Sequence, residues 1–98
     1  ALAVLLLAAK FDRPVCQHAG GVGLCEGGQH LAFVDALMGS RRLEDRMLEH
    51  AGHLHEHFVD PIRIANGRYL APERPVFSTE LKAGSRVEYA YPNGAAWL

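Results

Sequence analysis

Apolar residues fill the first turns of the chain with almost no polar face. The run ALAVLLLAA up to Lys10 consists of strong helix formers and predicts a helix over 1–10, buried on most sides and closed before Pro14. Pro14, Val15 and Cys16 then make a short apolar run ending at Gln17 and His18, the pattern of a brief buried strand over 14–18. Gly20, Gly21 and Gly23 turn the chain. Beyond them Leu24, Leu31, Val34 or Asp35, and Met38 recur at helical spacing, with Gly39 at the usual stop, so a helix is predicted over 23–38. After the polar linker SRRLE, a second short strand is predicted over 45–49.

This α-β-α-β order has a geometric consequence. Strands that alternate with helices normally pair in parallel, because each crossover returns the chain to the same end of the sheet. His18 and Glu49 stand at the C-terminal ends of the two predicted strands, the end at which open sheets and closed barrels bind ligands. The last third changes character. Residues 61–71 read as a hairpin about Asn66-Gly67, a pair that accepts the positive φ angles of a two-residue type I′ turn. The remainder, with Pro72, Pro75, Pro92 and Gly94, reads as extended chain and turns.

Composition narrows the classes. At 98 residues the chain has room for one modest domain or a piece of a larger one. Ten Lys and Arg against eleven Asp and Glu, without blocks of one sign, argue against an electrostatic nucleic-acid or membrane-surface partner. Cys16 and Cys25 lack a second pair to complete a zinc cage or a disulfide framework, which suggests reduced thiols and a cytoplasmic location. The apolar opening is shorter than the roughly 20 residues of a membrane span and lacks a charged leader. With Ala1 first and no initiator Met, the chain is expected to start inside something longer.

The stretch PVCQHAGGVGLCE carries the densest chemistry. It fails as a phosphate loop, because Gly21-Val22-Gly23 is followed by Leu24, Cys25 and Glu26 where a dinucleotide fingerprint needs a third glycine, and the P-loop Gly-Lys-Ser/Thr is missing. Cys16 and Cys25 read as small core residues rather than nucleophiles. On a strand, His53, His55 and His57 of HLHEHF would share one face and could hold zinc; on a helix they would fan apart, and a solvated or locally hydrogen-bonded segment is the plainer reading. His18 beside its glycines suits either a turn or acid-base work.

These same residues carry a resemblance. PVCQHAGGVGLCE, then QHLAFVD, LEDRMLEHAGHLHEHF, PIRIANGRYLAPE, FSTE and YPNGAAW, in that order over nearly the whole chain, resemble the C-terminal portion of L-fuconate dehydratases, acid-sugar dehydratases of the enolase superfamily within the mandelate racemase group. The resemblance implies an α/β fold, the C-terminal part of a (β/α)8 barrel, with residues 1–57 its last strands and helices. Residues 58–98 would be a hairpin and extended tail returning to the capping domain.

The implied reaction removes water from a sugar acid, with L-fuconate foremost, through an enediolate to a 2-keto-3-deoxy acid. His18 matches the acid-base histidine at the end of the seventh strand, expected to pair with an Asp of the preceding strand. Glu49 matches the glutamate of the eighth strand that hydrogen-bonds the substrate carboxylate, a role that needs a raised pKa; pairing with Arg46 is its plainer alternative. Mg²⁺, its three acidic ligands and a Lys-x-Lys base are expected upstream of Ala1, which leaves the 98 residues inactive alone. A small sugar acid as ligand, no nucleic acid, no membrane, and a homo-oligomer at full length complete the expectation. Its rival is a noncatalytic remnant or small metal-binding module built on the histidines. Gly27-Gly28, early in the second helix, departs from the bulkier residues usual there.

Overall fold

A computed structural model describes residues 1–98 and shows a mixed α/β arrangement. Helix α1 spans Leu2–Lys10 and closes at Phe11, after which the Arg13 N–H returns to the Ala8 carbonyl, so the helix ends where Pro14 requires. The predicted burial is corrected. Only Leu5 is buried, while Leu2, Val4, Leu6 and Leu7 are all more than half exposed. α1 rests on the Asp35–Gly39 segment along one stripe, and nothing in the chain covers its other faces.

Strands β1, Cys16–Gln17, and β2, Met47–Leu48, pair in parallel with Cys16 opposite Met47 and Gln17 opposite Leu48. Both fall inside the predicted stretches. Helix α2, Leu24–Val34, forms the crossover and runs on into a π turn over Asp35–Gly39, where the Ser40 N–H reaches the Asp35 carbonyl. Gly23 caps α2 at φ 74°, and a Cβ there would lie 3.0 Å from Phe58 Cζ; backbone conformation and space both demand glycine.

The face that α2 buries also departs from the predicted apolar stripe. Cys25, Glu26, Gly28, Gln29 and Asp35 are buried, whereas Leu24 and Met38 are exposed. Small residues bring the helix close to the sheet: a Cβ on Gly28 would touch Leu48 Cδ1 at 3.4 Å and Ala19 Cβ at 4.0 Å. The polar residues on that face can be buried because they are paired, Glu26 with His55 and Asp35 with Arg46.

Strands β3, Ile64–Ala65, and β4, Arg68–Tyr69, form the predicted hairpin, with Asn66 at φ 51° and Gly67 at φ 70° as a type I′ turn requires. The tail is not simply extended. Helix α3 spans Ala83–Glu88 and a 3-10 turn spans Ala95–Trp97. Six residues that include Gly84 and Val87 are too short and too poor in helix formers to announce themselves by periodicity. Val59 N–H to the Glu80 carbonyl and Lys82 N–H to the His57 carbonyl tie this tail to the histidine-rich loop.

Burial is sparse, at 10 of 98 residues. The radius of gyration is 15.5 Å, against about 13 Å for a compact domain of this length. Of the two cysteines expected in the core, Cys25 is buried and Cys16 exposed, and both are unpaired. No helix is long and apolar enough to cross a membrane.

Candidate active site

Parallel pairing of β1 and β2 carries the residues that follow each strand to one rim, and those residues are His18 and Glu49. Their side chains meet: His18 Nδ1 lies 2.7 Å from Glu49 Oε2. The same carboxylate oxygen accepts the Ala19 backbone N–H. Because Nδ1 donates to Glu49, Nε2 is the ring nitrogen left for chemistry, and the imidazole is largely open to solvent, with 81% of the side chain exposed.

The Ala19 N–H holds the Glu49 carboxyl below the usual carboxylate range; desolvation opposes it and the neighbouring His18 reinforces it. The raised pKa expected of Glu49 is thereby corrected: here it is an ionised acceptor. Its expected alternative partner is corrected too, since Arg46 lies 3.4 Å from Asp35 Oδ2 instead. Gly20 keeps this rim open. A Cβ there would come within 3.1 Å of His18 Cε1 and 3.9 Å of Glu49 Oε1.

Behind the pair lies a layer that sequence reasoning missed. The Cys25 thiol donates to the Ala19 carbonyl and accepts the Ala51 N–H, each at 3.4 Å, so the α2 N-terminus grips the segments that follow both strands. The Tyr69 hydroxyl donates to the Glu49 carbonyl at 2.8 Å and docks the hairpin against β2. Burial, with the Cys25 thiol and the Glu26 and Glu49 carboxylates nearby, holds this phenol above its usual range. Its hairpin placement was legible, but nothing in local sequence says that residue 69 reaches residue 49.

The histidines of HLHEHF are neither a strand face nor a cluster, because 55–57 form a 3-10 turn entered through Leu54 at φ 66°. His55 sits between Glu26 Oε1 and the Ala51 carbonyl, both at 2.6 Å; His57 faces Ser85 and Tyr89; His53 is exposed. The donors that do converge are Cys25, His50 and His55, whose ligand atoms lie within 4.8 Å of one another. That soft sulfur and nitrogen set does not suit Mg²⁺, which takes oxygen ligands, and no other group of three metal-ligating side chains gathers in the chain.

No family model matches the chain. Among curated proteins, it is 51% identical over 96 residues to mitochondrial enolase superfamily member 1 of Xenopus laevis and 50% identical over 96 residues to the Homo sapiens protein of that name. It is 44% identical over 98 residues to L-galactonate dehydratase of Hypocrea jecorina. These matches take in 98% of this chain but 22%, 22% and 21% of the respective relatives, so the chain spans about a fifth of their length. The crystal structure of human mitochondrial enolase superfamily member 1 superposes with a TM-score of 0.93 at 50% identity, over 98% of this chain and 22% of that one.

Proposed function

We propose that this chain is the C-terminal part of an acid-sugar dehydratase barrel and supplies its acid-base histidine. The likenesses support the enolase superfamily and a dehydratase-like activity for the whole protein. The observation that carries the reading is the contact of His18 with Glu49 at the shared rim of two parallel strands.

In this reading Glu49 accepts from His18 Nδ1–H and fixes the ring, so that the outward Nε2, when it carries a proton, gives it to the departing 3-hydroxyl of the sugar acid. Glu49 Oε1, which has no protein partner, faces the substrate and accepts a hydrogen bond from one of its hydroxyls. Gly20 leaves the space that substrate needs beside both groups. Mg²⁺, which in this superfamily supplies charge stabilisation to the enediolate, does not fit the donors of this chain and would be held by carboxylates elsewhere in a longer protein. L-fuconate is the leading substrate. The relative named L-galactonate dehydratase sets L-galactonate beside it in any assay.

The test exchanges the matching fifth of that L-galactonate dehydratase for these 98 residues. The chimera is expected to form 2-keto-3-deoxy acid from L-fuconate or L-galactonate with Mg²⁺, and the chain alone to form none. His18→Asn in the chimera should lower kcat by about 10²–10⁴, the usual contribution of a positioned acid-base group. A folded chimera whose turnover survives His18→Asn would sink the proposal.

A further inference from the structure

We propose that Cys25, His50 and His55 form a zinc-class metal site directly behind the His18–Glu49 pair, one that holds the two strand ends in place. The proposal is independent of the dehydratase reading. It rests on three observations.

The first is convergence. A thiol from the first turn of α2, the residue immediately after Glu49 and a residue of the 3-10 turn bring one donor each within 4.8 Å of the others. Tetrahedral zinc, with bonds of about 2.0–2.3 Å to nitrogen and sulfur, needs its ligand atoms roughly 3.5 Å apart, a contraction of about an ångström. His50 is exposed and stacks on His55 with ring centroids 5.5 Å apart, so it has room to make that movement.

The second is the carboxylate behind His55. Glu26 is fully buried, its Oε1 accepts from His55 Nδ1 at 2.6 Å, and its Oε2 is buried with no partner. A histidine that ligates a metal usually donates its other ring N–H to such a carboxylate, which fixes the tautomer and turns Nε2 to the metal. With Nδ1 protonated, a neutral His55 would point the Nε2 lone pair at the Ala51 carbonyl oxygen 2.6 Å away. Once Nδ1 donates to Glu26, Nε2 is the nitrogen left to a metal, and binding would exchange the Ala51 carbonyl at Nε2 for the ion.

The third is charge. Binding requires the Cys25 thiol to release its proton to solvent as the sulfur–metal bond forms. The thiolate and the Glu26 carboxylate then carry two negative charges in a buried place, and a divalent ion neutralises both. The Ala51 N–H, which already points at Cys25 Sγ, would stabilise the bound thiolate. A sulfur and two imidazoles suit Zn²⁺ and leave a fourth position for water.

Cobalt reports such a site. The reduced, metal-free 98-residue chain, titrated with Co²⁺, is expected to bind one ion with a thiolate-to-metal charge-transfer band and tetrahedral visible bands, both erased by Zn²⁺. Cys16→Ser and His53→Gln should leave the spectrum intact, and His50→Gln should weaken Co²⁺ binding at least about tenfold. Since Cys25 is buried and its substitution could disturb packing, X-ray absorption of the zinc-loaded, unsubstituted chain gives the parallel reading: one sulfur and two imidazole nitrogens. No saturable binding, a shell without sulfur, a band that follows Cys16, or a loss on His53→Gln would each overturn the site.

Discussion

At the scale of single residues, the pair at the rim works through proton position. Glu49 is held ionised chiefly by the Ala19 backbone N–H and less by His18. Carboxyl-carbon NMR should therefore show Glu49 titrating below the usual carboxylate range. His18→Asn should move it back only part of the way, because the larger cause remains. A folded-state pKa below the unfolded one means that this group's stabilising contribution is present above the unfolded value and lost as pH falls through the folded value. A Glu49 that titrates at or above its ordinary value would return it to the role of hydrogen-bond donor expected from the sequence resemblance. His18 was legible because it ends an apolar run and stands before glycines. The direct His18–Glu49 contact was not, since 30 residues separate the two and only strand register brings them side by side.

At the scale of elements, the hairpin was the clearest local signal, because Asn-Gly encodes a type I′ turn in its own backbone preferences. Its docking belongs to tertiary structure. Tyr69→Phe removes the hydroxyl that meets the Glu49 carbonyl and should cost about 1 kcal/mol in urea unfolding followed by circular dichroism, with α2 and the parallel ladder intact. An unchanged midpoint would mean that the hairpin is held by packing alone. Helix α2 teaches the opposite lesson. Its apolar spacing located the helix but misjudged its buried face, because Gly28 lets the backbone approach Leu48 and Ala19 while Glu26 and Asp35 find partners from distant segments. Helix α3 left no periodic trace because a single short turn buries no stripe.

At the scale of the whole molecule, apolar surface outruns the core that could hide it. Leu2, Val4, Leu6, Leu7 and Phe11 stand exposed along and just beyond α1, and in the elongated body, 50 × 26 × 23 Å, the parallel pair β1–β2 has no further strand on either side. The isolated chain should self-associate at micromolar concentration and bind a hydrophobic dye, as read by light scattering and fluorescence. Val4→Glu with Leu7→Glu should reduce that association without loss of helix, because both side chains are exposed and lie on the face of α1 away from Leu5 and Ala9. Scattering that stays monomeric in the unsubstituted chain would count against α1 as the sticky face.

The order of elements, the turn at Asn66-Gly67 and the placement of His18 and Glu49 after successive strands were determined by sequence alone, since each follows from preferences that act within a few residues. Three things were decided only by tertiary structure: the hydrogen bond those residues make, the burial of Glu26 against His55, and the meeting of Cys25 with two histidines. Each depends on the parallel register and on how closely α2 settles on the sheet, and neither quantity is written in any local stretch of the chain.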